Sequence, residues 1–124
     1  GDFENHGKIG ADMLRYLGFS EEIAHAVAAH NPATGTSQDS LMDKCLYSSD
    51  PVTGLIVAGA LIRPEKKLDA LDVESVIKRF HEKSFARGAN REQIATCSDF
   101  GIELKQFLAI CLKAMQEIHD DLGL

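Results

Sequence analysis

PVTGLIVAGALI, residues 51–62, is apolar on nearly every face that a helix would present. A helix of this kind lies inside a bundle rather than on its surface. The small residues Gly54, Ala58, Gly59 and Ala60 would let neighbouring helices approach closely. We therefore predict that this segment forms the centre of a helical bundle.

Pro51 stands at the start of this segment, after a helix predicted from about Gln38. A proline inside a helix removes one hydrogen bond and clashes with the preceding turn. Two outcomes are open at this position. Either the helix kinks at Pro51, or Asp50 caps a new helix with Pro51 in its first position.

Helical periodicity and capping residues divide the rest of the chain. Ser20, Asp72 and Asn90 are the predicted N-caps. No alternating β-branched segment indicates a strand. We predict an all-α fold, a bundle of about six or seven helices in a single domain of residues 1–124, with the main segments at about 6–17, 21–30, 38–50, 51–62, 73–80, 91–97 and 103–121.

Charge and composition exclude some classes of partner. The net charge is -6, and no basic face is available for a nucleic-acid polymer or an anionic membrane. The longest apolar run, residues 55–62, is far shorter than the ~20 residues that cross a bilayer. The three cysteines are widely spaced in apolar helical patterns, which indicates free thiols and a cytoplasmic location.

Three side chains are suited to bind a metal. His6 begins the first helix, His30 ends the second, and Asp50 precedes Pro51. Imidazole and carboxylate are the usual ligands of first-row divalent ions. Each residue also has an ordinary explanation, as an exposed N-terminal residue, a cation at a helix C-terminus and an N-cap. His25 is five residues before His30, so the two point about 140° apart and are poor partners for one metal.

From His6 to about Leu124 the chain resembles the HD superfamily of metal-dependent phosphohydrolases, in particular one bacterial subgroup. The resemblance is nearly continuous, and several segments are specific in combination. The matching segments include HGKIGA at 6–11, LGF at 17–19, AHN at 29–31, LMDKCLY at 41–47, DPVTGLI at 50–56, ALIRP at 60–64, KSFA at 83–86 and NREQI at 90–94.

The resemblance implies a ligand set. The family uses an early His, a His-Asp doublet and a later Asp, and its binuclear members add two more His. By position, Asp50 resembles the late Asp, and His6 and His30 resemble the two added His. The implied cofactor is a divalent metal ion, with Mn, Fe, Mg, Zn, Co and Ni all candidates. Lys44 and Arg63 resemble basic residues that contact an anionic substrate, although surface charge or a helix C-terminal role is the simpler explanation of both.

The early His and the doublet of the family do not precede His6 in this sequence. The family's N-terminal helices are therefore expected to be missing, and uncovered apolar surface would favour a homo-oligomer. Since the doublet binds the principal metal, we expect this chain alone to be weak or inactive.

Two functions follow from these observations. One is metal-dependent hydrolysis of a phosphate ester or nucleotide, with a phosphorylated small molecule or nucleotide as the ligand. The alternative is a non-catalytic helical module that binds a ligand or partner, in which His6, His30 and Asp50 are structural. No catalytic residue is assigned from the sequence.

Overall fold

The computed structural model describes residues 3–124, and within them it contains seven α-helices and no strand. The predicted all-α fold class is confirmed. Short 3-10 turns connect several of the helices, at Pro32–Thr34, Leu68–Ala70 and Thr96–Phe100. The helices are α1 Lys8–Tyr16, α2 Glu21–Ala29, α3 Leu41–Leu61, α4 Val73–His81, α5 Arg91–Ala95, α6 Leu104–Glu117 and α7 His119–Leu122.

The three predicted N-caps are confirmed. The side-chain oxygens of Ser20, Asp72 and Asn90 each accept the backbone N–H three residues later, at 3.3, 2.8 and 3.1 Å. Such a bond satisfies an N–H of the first turn that has no partner inside the helix. The starts of α2, α4 and α5 are therefore set by local side chains.

Pro51 does not begin a new helix. α3 is 21 residues long and runs through Pro51 without a break, so Asp50 lies inside the helix and not at an N-cap. The Thr53 hydroxyl donates a hydrogen bond to the Asp50 carbonyl at 2.7 Å. Val52 and Ile56, both fully buried, pack this part of α3 into a core. Packing of an apolar face contributes more to helix stability than the loss of a single hydrogen bond removes.

The chain divides into two compact units, Gly1–Ser48 and Ser49–Leu124. In the first unit α1 packs against α2. Its buried cluster consists of Ala11, Ala24 and Ala28, with Val27 partly buried against them. Small side chains at this contact bring the two helices close together.

The second unit has the larger core. The predicted central position of residues 51–62 is confirmed there for Val52, Leu55, Ile56 and Ala60, which are at most 1% exposed. Leu61 and Ile62 at the end of the segment are instead about half exposed. Side chains from later helices complete this core, among them Leu68, Val76, Phe80, Ile94, Phe107, Leu108, Leu112 and Met115.

The last predicted helix is divided in two. α6 ends at Glu117, Ile118 has a non-helical backbone, and α7 begins at His119. The periodicity placed Ile118 and Leu122 on the buried face, but they are 47% and 43% exposed. The apolar face of the segment therefore stops contributing to the core after Met115.

The three cysteines are free thiols, as predicted. Cys97 is buried, and Cys45 and Cys111 are half-buried. Burial raises the pKa of the Cys45 and Cys97 thiols. A raised pKa keeps a thiol protonated and unreactive.

The longest helix is α3, at 21 residues. Its sequence contains the charged residues Asp43, Lys44 and Asp50. Among the helices of residues 3–124, none has both the length and the apolar content that a membrane span requires.

Candidate functional site

The imidazoles of His6 and His30 meet in the first unit. Their Nε2 atoms are 3.0 Å apart. The ring centroids are 4.9 Å apart, and the ring planes are inclined at 70°. His6 is exposed and His30 half-buried, so the pair lies at the surface. Two of the three predicted metal ligands are therefore in contact.

The His30 ring is held in one tautomer. Its Nδ1 is in hydrogen-bond contact with the Val27 carbonyl oxygen. Since a carbonyl only accepts, Nδ1 carries the proton and donates it. In the neutral ring this leaves a lone pair on Nε2, directed at His6. Histidines that bind metals usually donate their other N–H to a carbonyl or carboxylate in this way.

Gly7 allows the two histidines to approach. Its φ is +90°, a conformation that side-chain-bearing residues rarely adopt. A Cβ atom at this position would lie 2.8 Å from the Val27 carbonyl oxygen and 3.2 Å from the His30 ring. Any larger residue would therefore push the start of α1 away from the end of α2.

Asn31 holds the segment that carries His6. It is 4% exposed, and its side-chain amide donates to the carbonyls of Phe3 and His6 at 2.8 and 2.9 Å. Its Oδ1 accepts the Ala33 N–H at 3.2 Å. The sequence motifs singled out the histidines. Gly7 follows His6 and Asn31 follows His30, and these two neighbours bring the histidines together.

The Nε2–Nε2 distance fits two kinds of contact. Two nitrogens bound to one octahedral ion at about 2.1 Å lie about 3.0 Å apart, and on a tetrahedral ion about 3.4 Å apart. An N–H···N hydrogen bond from His6 to His30 has a similar length. The pair is therefore arranged either to share an ion or to bond directly.

Asp50, the third predicted ligand, belongs to the second unit. It is exposed on α3 and borders an open cavity of about 350 Å³. Thr53 and Gly54 line the same cavity, together with Arg87 and its neighbours. The Asp50 side chain is thus accessible and has an arginine on the wall of the same cavity.

Arg91 holds the segment that forms the other wall. Its guanidinium donates to six backbone carbonyls at 2.6–3.0 Å, and burial lowers its pKa. A cation in the first turn of a helix is mildly unfavourable, because the helix dipole is positive there. The contacts found are with carbonyls alone, those of Arg79, Phe80, Glu82, Phe85, Ala86 and Ala89.

The two predicted substrate contacts differ in setting. Lys44 is an exposed residue of α3 in the first unit. Arg63, just after α3 in the second unit, is half-buried and lines a cavity of about 270 Å³. Lys78 and Arg79 line this cavity as well. Arg79 is paired with Glu82 at 2.7 Å, so Arg63 and Lys78 are the cationic side chains of this lining that would suit an anion.

One His-Asp dipeptide does occur, at His119-Asp120 in α7. The two side chains approach each other to 3.4 Å, and Asp120 is 96% exposed. The dipeptide follows His6 in the sequence, whereas the family's doublet precedes the corresponding His. It therefore does not stand in the doublet's place.

A further group was not foreseen from the sequence. His25, Asp39 and Asp43 form the one cluster of three or more possible metal-ligating side chains found within residues 3–124. His25 was considered only as a partner for His30. Its actual neighbours come from the start of α3 and the loop before it, 14 and 18 residues away.

Comparison of the chain with protein-family models, curated proteins and solved structures finds no match. The roles of His6, His30 and Asp50 therefore remain predictions from the resemblance. The contact between the two histidines is the structural observation that bears on them.

Proposed function

We propose that this chain is a metal-dependent phosphohydrolase of the HD type, acting on a phosphate ester or nucleotide. The observation that supports the proposal is the His6–His30 pair. Two Nε2 atoms lie 3.0 Å apart, and the Val27 carbonyl keeps the proton of His30 on Nδ1. This tautomer and this spacing are compatible with two imidazoles bound to one octahedral divalent ion.

The donor set fits a first-row divalent ion. His6 and His30 supply two imidazole nitrogens, which suit Zn, Fe, Ni and Co. Asp50 belongs to the second unit; the resemblance implies that it too is a metal ligand, and its carboxylate is exposed. A metal in such a site activates water and neutralises phosphate charge.

The chain's own residues contribute position and charge. Gly7 and Asn31 keep His6 at the end of α2. Arg63 is the proposed phosphate contact, since an arginine donates two parallel hydrogen bonds to phosphate oxygens. Lys78 lines the same cavity as Arg63 and adds positive charge for an anionic substrate, whereas the charge of Arg79 is paired with Glu82.

Metal binding by the histidine pair can be measured directly. Wild type, His6→Ala, His30→Ala and Asp50→Ala are dialysed against buffered Zn²⁺ and analysed for metal content. We expect each histidine variant to lose about one bound equivalent. Asp50→Ala is measured beside them, because the resemblance makes Asp50 a metal ligand as well. His81→Ala, which removes an exposed histidine of α4, is the matched control and should bind as wild type does.

Hydrolysis of p-nitrophenyl phosphate is followed in parallel, with circular dichroism to show that each variant folds. Weak metal-dependent turnover that disappears in His30→Ala supports the proposal. If both folded histidine variants retain the full metal content of wild type, the pair is a structural hydrogen bond. The non-catalytic module is then the correct interpretation.

A further inference from the structure

The second cluster lies where α2 faces the start of α3, within the first unit. His25 is on α2, Asp43 is in the first turn of α3, and Asp39 is in the preceding loop. His25 Nδ1 is 2.9 Å from Asp43 Oδ2, and His25 Nε2 is 3.7 Å from Asp39 Oδ2. One ligand atom from each residue lies within 4.8 Å of the other two. A single ion could therefore contact all three residues.

Asp43 has the most unusual environment. Its side chain is 0% exposed. Oδ2 accepts the N–H groups of Asp39 and Ser40 at 2.9 and 3.0 Å, in addition to the contact with His25. Oδ1, by contrast, has no hydrogen-bond partner among the described residues. A buried polar atom without a partner is costly, and native proteins usually satisfy such an atom with a ligand or water.

The surroundings favour a cation as well. Both ring nitrogens of His25 face carboxylates. Asp39 accepts the Ser37 hydroxyl on Oδ1 at 2.8 Å and presents Oδ2 to His25. Glu21 and Glu22 line the same cavity, whose volume is about 260 Å³.

We propose that His25, Asp39 and Asp43 bind a divalent transition-metal ion such as Zn²⁺ or Mn²⁺. Asp43 and Asp39 each contribute a carboxylate oxygen, and His25 contributes one ring nitrogen. One imidazole with two carboxylates is a donor set that such ions accept.

This site is separate from the His6–His30 pair. His25 and His30 both belong to the α2 segment, but they are five residues apart and point about 140° away from each other. Neither Asp39 nor Asp43 is part of the proposed phosphohydrolase site. The inference therefore does not depend on the function proposed above.

Imidazole ¹⁵N NMR can distinguish the two sites in one titration. Zn²⁺ is added to the metal-free, ¹⁵N-labelled chain, and the ring nitrogens of its five histidines are followed. We expect the His25 ring signals to shift and saturate with added Zn²⁺. The His6 and His30 signals report on the other proposal independently.

The ligand assignment is tested with Asp39→Asn. Asp39 is exposed, and the variant keeps the backbone N–H that bonds to Asp43, so it should fold as wild type does. We expect the Zn²⁺ dissociation constant read from His25 to rise at least about tenfold. Asp69→Asn, at an exposed aspartate of the second unit, is the matched control and should leave it unchanged. The inference would be overturned if the His25 signals did not shift in excess Zn²⁺, or if Asp39→Asn and Asp69→Asn bound Zn²⁺ with equal affinity.

Discussion

Gly7 has a backbone conformation, φ +90°, in which an added Cβ would lie 2.8 Å from a backbone carbonyl oxygen. The carbonyl belongs to Val27, which also fixes the His30 tautomer. A side chain at position 7 therefore disturbs the helix contact and the histidine pair together. The neighbouring Asn31 acts on the same segment through the carbonyls of Phe3 and His6.

We predict that Gly7→Ala destabilises the protein by about 2 kcal/mol or more. The backbone conformation of Gly7, φ 90° and ψ -38°, alone costs about 1–3 kcal/mol for a residue with a Cβ, and the contact with the Val27 carbonyl adds to this. Urea unfolding measures the free-energy difference.

Gly54→Ala is the matched control for this prediction. Gly54 lies inside α3, and a Cβ there would meet nothing within 4 Å. Alanine is the better helix former by about 0.5–1 kcal/mol, so this variant should be slightly more stable than wild type. Equal effects of the two substitutions would contradict the account of Gly7.

The His25–Asp43 pair gives a pH dependence whose sign can be worked out. The pKa of Asp43 is lowered from 3.8 to about 2, so its contribution is complete above 3.8 and is lost as the pH falls toward 2. The pKa of His25 is raised above 6.5. Its contribution is complete below 6.5 and is lost as the pH rises through the raised value. Asp39 and Glu21 act on His25 in the same direction.

We therefore expect His25→Gln to lower the free energy of unfolding of the metal-free protein most at about pH 5 and least at about pH 9. Urea unfolding of both proteins with a chelator present measures the difference. His81→Gln serves as the control, because His81 is exposed on another helix. A difference that is constant over this range would show that the pair does not contribute through its charge.

At the level of the helices, the N-caps at Ser20, Asp72 and Asn90 were predictable because each bond joins residues three apart in sequence. The course of α3 was not. Whether a proline ends a helix depends on how the residues around it pack, and Val52 and Ile56 are buried by residues distant in sequence. Local sequence patterns do not contain that information.

The six carbonyl contacts of Arg91 hold the end of α4 and the segment after it in place with a single side chain. Arg91 is the first residue of α5, and its acceptors lie at the end of α4 and in the segment that follows. That segment, residues 82–90, lines the cavity beside Asp50. A planar guanidinium with five N–H groups can serve many acceptors at once, and an ammonium group cannot.

We predict that Arg91→Lys destabilises the protein by about 3 kcal/mol, since several buried carbonyls lose their donor. Proteolysis under native conditions should then cut within residues 82–90 faster than in wild type. Arg87→Lys, an exposed arginine of the same segment, should change neither quantity. Equal stability of the two variants would show that the carbonyl contacts contribute little.

For the whole molecule, the two units differ in the size of their cores. The first unit buries a cluster of three alanines, whereas the second buries large side chains such as Leu55, Ile56 and Leu108. Local stability follows the amount of apolar surface buried. The sequence predicted the helical class because periodicity is repeated throughout, but it did not indicate how unequally the core is divided.

We expect amide hydrogen exchange to be faster in α1 and α2 than in the α3 residues after Ser49 and in α6. Mass spectrometry of peptides from each unit measures the rates. Leu55→Ala, at a residue 1% exposed, should speed exchange in the second unit, since such truncations cost about 2–5 kcal/mol. Equal protection of the two units in the wild-type protein would contradict this expectation.

The candidate site was predictable in part, and for an identifiable reason. His6 and His30 stand in short motifs, so the resemblance located them. The partners of His25 could not be found in the same way, because 14 and 18 residues separate it from Asp39 and Asp43 and chain distance says nothing about contact. One local feature did place Asp43 at a helix start: its N–H donates to Ser40 Oγ, three residues earlier, and this bond fixes the start of α3.

The contacts of Arg91 are also insensitive to acid. Its guanidinium stays charged wherever proteins are folded, and its acceptors are amide carbonyls that do not titrate. Acidification protonates carboxylates and so weakens contacts such as that between His25 and Asp43. As the pH falls, we therefore expect the start of α3 to loosen first. The cavity wall that carries Arg87 should still keep its conformation at that pH.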